Sequence, residues 1–121
     1  MKKKIFIIGI GALTGYNLSI LAQKEYEVYG SYNLRNPNFE FLKSLNLDLT
    51  NYEKIDEILS DTCPDVLINT AAISNVDYCE THQNEAKKIN IDTVNHIYKI
   101  TNHLGIKLVQ MSSDSVFDGC K

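Results

Sequence analysis

The sequence predicts a doubly wound α/β fold, with a parallel sheet between two layers of helices. Three observations support this. Short β-branched apolar runs alternate with helical patterns along the whole chain. A glycine-rich turn, Gly9-Ile10-Gly11-Ala12-Leu13-Thr14-Gly15, joins the first apolar run to the first helical pattern. The chain has 121 residues, 44% hydrophobic and 22% charged, which suits one small globular domain spanning residues 1–121.

Ile5 to Ile8 is a continuous apolar run, as in a strand buried on both faces. After the glycine turn, Leu18, Leu21 and Ala22 recur at i, i+3 and i+4 and mark a first helix. Glu27 to Tyr32 reads as a second strand. Asn36-Pro37 resembles a cap followed by proline at the first helical position, predicting a short helix through Phe41 and Leu42. Leu45 to Leu49 reads as a third strand. Thr50 and Glu53 form a capping box for a helix with Ile55, Ile58 and Leu59 on its apolar face. Cys63-Pro64 stops that helix, and Val66 to Ile68 is a fourth strand before a loop at Asn69 to Asn75.

From Thr81 to Leu104, the residues Ala86, Ile89, Ile97, Ile100 and Leu104 keep near-helical period, and Gly105 stands where a left-handed cap is expected. Ile106 to Met111 is a fifth strand. Crossovers should be right-handed. The expected strand order is 3-2-1-4-5, the Rossmann-like arrangement of a dinucleotide-binding half. The flavodoxin-like order 2-1-3-4-5 is its competitor.

Composition excludes several classes. A net charge of −3 leaves no basic footprint for nucleic acid. Lys2-Lys3-Lys4 and the following apolar run are too short, and too interrupted by glycine, to read as a signal peptide. No stretch approaches a membrane span. Three cysteines without paired spacing fit a reducing cytoplasm and no metal site. Asp77, Cys79, Glu80 and His82 lack the tight pairing of structural zinc ligands. His96 and His103 read as part of a solvated helix face.

In such sheets ligands bind beyond the carboxyl ends of the strands. The turn from Gly9 through Gly11, Ala12, Leu13 and Thr14 to Gly15 opens a helix, whose free amides and dipole favour a diphosphate. The spacing is imperfect, since Ala12 or Thr14 stands where the two common fingerprints place glycine. The alternative is a turn whose glycines serve strand–helix packing alone. At the end of the second strand no acid awaits an adenosine 2′-hydroxyl. Ser31 and Arg35 are instead suited to a 2′-phosphate, which favours NADP (NADPH) over NAD; the alternative is an exposed loop arginine. Asp48 is placed to accept from an adenine amino group, or simply to precede the Thr50 cap. Asn69, Ala71 and Ala72 put small residues after the fourth strand, where they let phosphate and ribose pass closely.

This set resembles the extended short-chain dehydrogenase/reductases, and within them the dTDP-4-dehydrorhamnose reductase (RmlD-like) branch. The matching pieces are the glycine turn, Leu47-Asp48-Leu49-Thr50, and Pro64 to Ala72. Val76-Asp77-Tyr78-Cys79-Glu80, Ala86 with Ile89-Asn90, and Ser112 to Gly119 continue the match. The likeness runs the length of this chain and covers the N-terminal part of the family pattern.

The resemblance implies hydride transfer from NAD(P)H to the keto carbon of a nucleotide-linked sugar, as in dTDP-L-rhamnose biosynthesis. It implies that Ser113 orients the carbonyl, that Asn90 contacts cofactor, and that Asp114 and Phe117 contact substrate. In the family a tyrosine protonates the carbonyl oxygen and a lysine lowers that tyrosine's pKa. Three departures stand out. Ala12 replaces a glycine, Ser115 stands where many relatives have tyrosine, and none of the seven tyrosines begins a Tyr-x-x-x-Lys.

The chain is therefore expected to stop before the catalytic helix and the sugar-binding domain, and to be inert alone. Ile106, Leu108, Val109 and Met111 are expected to be left partly open, favouring self-association such as a homodimer. A second reading is a non-catalytic NADP-binding regulatory module, similar to the regulatory subunit of methionine adenosyltransferase.

Overall fold

The computed structural model describes residues 2–72 and 76–111. The elements run β1 (Lys4–Ile8), α1 (Leu13–Ala22), β2 (Glu27–Tyr32), β3 (Lys43–Asn46), α2 (Tyr52–Thr62) and β4 (Val66–Asn69). They continue with α3 (Val76–Thr81), α4 (Gln83–Lys87), a π-helical turn (Lys88–Asp92), α5 (Thr93–Leu104) and β5 (Lys107–Gln110). The strands form one five-stranded parallel sheet in the order β3-β2-β1-β4-β5, so the Rossmann-like order holds and the flavodoxin-like one does not.

Two cores follow from the alternation along β1. Phe6 and Ile8 point to the α2/α5 side and pack with Leu67, Ile55, Leu59 and Ile97. Ile5 and Ile7 point to the α1 side and pack with Ile10, Val28 and Leu42. Full burial of side chains such as Phe6, Ile7 and Ile97 stabilises by about 1.5–3 kcal/mol each. On the first side His96 is half-buried, bonds Asp56 at 2.7 Å and stacks on Tyr52 at 4.4 Å, tying α5 to α2. The solvated-face reading thus fails for His96 and holds for exposed His103.

Several local expectations are corrected. In α1, Leu18 and Ala22 pack partly buried against the α1-side core, but Leu21 is 64% exposed, and the fully buried residues are Gly15 and Ser19. Small residues let this helix approach the sheet closely, and the Ser19 hydroxyl is satisfied by the Gly15 carbonyl at 2.8 Å. No helix forms at Asn36–Leu42. Asn36 accepts from the Asn38 amide at 2.9 Å, Asn38 takes φ 57°, and Phe39 packs between the rings of Tyr16 and Phe41. That turn and aromatic cluster outweigh the cap-proline signal.

β3 spans Lys43–Asn46 and is shifted toward the N-terminus of the predicted strand, although Leu47 still donates to the Tyr32 carbonyl at 2.8 Å. The N-cap of α2 is Asn51, which accepts from the Lys54 amide at 3.2 Å, so Thr50 does not form a capping box. The helix predicted from Thr81 to Leu104 forms without interruption from Gln83 to Leu104, as α4, the π turn and α5 in succession, while Thr81 ends the separate α3. Ile106 is buried at 8% exposure, contrary to expectation, because it turns into the α2/α5 core. Val109 and Met111 are open as expected, at 37% and 42%. Cys63 and Gly105 end their helices in left-handed conformation, at φ 44° and 72°. Among the described residues, no helix is long and apolar enough to cross a membrane.

Candidate functional site

The sheet register assembles the site. Leu45, Ser31, Ile8, Asn69 and Gln110 lie side by side across the C-terminal edge of the five strands. The chain reverses direction across the sheet between β1 and β4, the switch point where such folds bind ligands.

Beyond Ile8 the chain turns through Gly9, which takes φ 94°. The amides of Gly9 and Ile10 both donate to the Ser31 carbonyl at 3.0 Å, and the Ala12 amide donates to Gly9 at 3.2 Å. Ala12 enters α1 in extended conformation and offers no side-chain cap, and the first turn holds no acid. The amides of Gly11, Leu13, Thr14 and Gly15 have no backbone acceptor among the described residues. They add to the positive end of the α1 dipole, an arrangement suited to an anion.

Two glycines of the turn have packing reasons. A Cβ on Gly11 would lie 2.3 Å from the Arg35 carbonyl oxygen, and one on Gly15 would lie 2.1 Å from the Gly9 carbonyl oxygen. The turn is thus pressed between the chain after β2 and its own helix. Packing and an open set of amides coexist here.

Beside the turn lies a cavity of about 410 Å³, within the range of small-molecule sites. Ile8, Leu47, Leu49, Ala71 and Ile89 supply its apolar surface. Gly9, Ser31, Asn33, Asp48, Thr50 and Glu85 supply its polar groups and one backbone edge. Asp48 accepts from the Thr50 amide at 2.9 Å and its hydroxyl at 2.8 Å, and these bonds hold its carboxyl below the ordinary carboxylate pKa.

The loop after β4 is fixed at three points. Buried Asn69 accepts from the Ala71 amide at 3.0 Å and donates to Gln110 at 3.0 Å. Thr70 donates its hydroxyl to the Ile8 carbonyl at 2.6 Å. Ala71 and Ala72 consequently stand at the cavity wall.

The sequence-derived candidates therefore divide. Gly9, Ser31, Asp48, Ala71 and Ala72 meet at one cavity, with Gly11 to Gly15 continuing the same turn. Ser31 lies within β2 and is 2% exposed, whereas Arg35 is exposed and meets the turn through its backbone. Asn90 falls in the π turn, and its neighbour Ile89 lines the cavity instead. Ser113, Asp114 and Phe117 lie outside the described residues. Sequence reasoning missed Thr70 and Glu85. Glu85 stands four positions before Ile89, a spacing that places both on one helix side and was the available signal. Among the described residues no three His, Cys, Asp or Glu side chains gather as metal ligands.

Comparison with known proteins agrees with this geometry. Residues 3–121 match the family model described as RmlD substrate binding domain. A probable low-salt glycan biosynthesis reductase, Agl14, from Haloferax volcanii is 30% identical over 115 residues, covering 94% of this chain and 38% of that protein. The methionine adenosyltransferase 2 subunit beta of Bos taurus is 31% identical over 83 residues, covering 69% of this chain and 23% of that protein. The crystal structure of a hypothetical dTDP-4-dehydrorhamnose reductase from Sulfolobus tokodaii superposes with TM-score 0.89 at 34% identity, covering 98% of this chain and 42% of that one. The dTDP-4-dehydrorhamnose reductase of Bacillus anthracis, solved in complex with NADP, gives TM-score 0.82 at 26% identity, covering 100% of this chain and 40% of that one. The chain thus spans well under half the length of these proteins.

Proposed function

The chain belongs to the RmlD substrate binding domain family, and on that premise we propose that it is the cofactor-holding portion of a nucleotide-sugar reductase. The reaction is of the dTDP-4-dehydrorhamnose reductase type and draws on NADPH in preference to NADH. The observation that carries this reading is the cavity at the strand C-termini, with Gly9 in its wall and, next to it, amides at the α1 start that have no backbone acceptor among the described residues.

The residues present fit a dinucleotide. Open amides at Gly11, Leu13 and Thr14 suit a diphosphate, and the apolar surface around Leu49 and Ile89 suits a base. Asp48, kept ionised by Thr50, suits an amino-group donor. Ser31 and Arg35 are the residues assigned to a 2′-phosphate, and Asn90 to a further cofactor contact. Bound NADPH would supply the hydride. Ser113 would donate a hydrogen bond to the keto oxygen where negative charge develops, with Asp114 and Phe117 against the sugar. These 121 residues contain no Tyr-x-x-x-Lys, so the proton donor has no source in them and the chain alone turns over no substrate. The assignment places the protein in the cytoplasm and includes self-association through its open sheet face.

Titration of the chain with NADPH and NADH, followed by nicotinamide fluorescence, tests the reading. Saturable binding with NADPH tighter than NADH is expected, and no binding of either would overturn it. A second reading, a non-catalytic NADP-binding regulatory subunit, is favoured by the match to the methionine adenosyltransferase subunit. Coding sequence beyond Lys121 that carries Tyr-x-x-x-Lys would decide for the reductase.

A further inference from the structure

The cavity has an acidic wall of which the cofactor assignment above uses Asp48 alone and leaves Glu85 without a role. Asp48 and Glu85 are the two carboxylates among its lining residues, one from the β3–α2 connection and one from α4. Ile89, one helical turn beyond Glu85, lines the same space, so both side chains leave one side of this helical run. Glu85 is held in place. The Tyr78 hydroxyl donates to its Oε2 at 2.5 Å, and the Tyr78 ring stacks on His82 at 4.0 Å. Lys88 is the cation that acts on Asp48. A flat apolar ring seated against Leu49 and Ile89 would meet carboxylates at its polar edge, and carboxylates accept only from N–H or O–H donors.

Resting on the dinucleotide reading, the geometry points to Glu85 as a specificity-determining residue that, with Asp48, selects a 6-amino purine. An exocyclic amine carries two hydrogens, one for each carboxylate. A 6-keto purine keeps one donor on that edge, its N1–H, and turns carbonyl lone pairs where the amine hydrogens stood, so one carboxylate loses its donor and faces repulsion.

The test is a titration of the full chain with NADPH and with its reduced hypoxanthine counterpart, repeated on Glu85→Leu and Tyr78→Phe. The unaltered chain is expected to prefer the adenine form by about tenfold or more, the scale set by one lost charged hydrogen bond. Glu85→Leu should cut that preference about threefold, mainly by improving the hypoxanthine form, and Tyr78→Phe by less. Glu85 is exposed, so its replacement leaves the core intact. An unchanged ratio in Glu85→Leu overturns the assignment and leaves the dinucleotide reading standing. Equal weakening of both forms also overturns it, because it marks a purely structural role. Failure of the unaltered chain to bind either form overturns both.

Discussion

The Thr70 hydroxyl donates to the Ile8 carbonyl at 2.6 Å and binds the loop after β4 to the last residue of β1. A Cβ on Gly9 would fall 2.6 Å from that hydroxyl oxygen, and one on Gly15 would fall 3.0 Å from it. The hydroxyl therefore occupies the notch that two glycines leave open, and the turn's shape depends on it. Thr70→Val keeps the volume and removes the donor. A stability loss of about 0.5–1.5 kcal/mol is expected by urea denaturation, with a several-fold loss of NADPH affinity. Thr70→Ser should restore both. Unchanged NADPH affinity in the valine variant would show that the turn holds its shape without this bond.

Arg35 meets the turn through its carbonyl, so changing its side chain leaves the contact with Gly11 in place. Arg35→Glu is expected to weaken NADPH binding by about tenfold or more, the worth of one charge-assisted contact, and to leave NADH nearly unaffected. Equal effects on both cofactors, measured by parallel titrations, would remove Arg35 from the 2′-phosphate site.

Asp48 gives the chain an acid-sensitive connection. Its hydrogen bonds to Thr50 lower its folded pKa beneath the ordinary value of 3.8. A carboxyl depressed on folding stabilises the protein above its unfolded pKa, and that contribution fades as pH falls through the folded value. Thermal melts should therefore lose stability below about pH 4 by a step that Asp48→Asn removes. Asp48 is exposed, so the step is small. An identical acid profile in the variant would assign the loss to other carboxylates.

Val109 lies on edge strand β5, in register with Ile68 on the α1 side, and is 37% exposed. Sedimentation of the chain at rising concentration should show association, reduced by Val109→Lys, because charge on an edge strand opposes pairing. A concentration-independent monomer would refute the expected self-association.

The five strands and the left-handed cap at Gly105 were legible in the sequence, because each depends on neighbours within a few residues, and the parallel sheet followed from the alternation of strands with helices. The glycine turn was legible for the same reason, and so was its meeting with Asp48, Ala71 and Ala72, since topology brings strand ends together. The short helix at Asn36 failed because aromatic contacts among Tyr16, Phe39 and Phe41 outweigh a local cap signal. The first helix formed as its spacing predicted, with Leu18 and Ala22 against the core, but close packing on the sheet buried Gly15 and Ser19 and left Leu21 outside.

Only the tertiary structure decided that the Arg35 carbonyl covers Gly11, that Asn69 joins Gln110, and that Glu85 shares a cavity with Asp48. These partners are far apart in sequence. Periodicity and backbone preference act over one or two helical turns, whereas such meetings depend on strand register and on how each crossover packs, quantities that no single segment encodes.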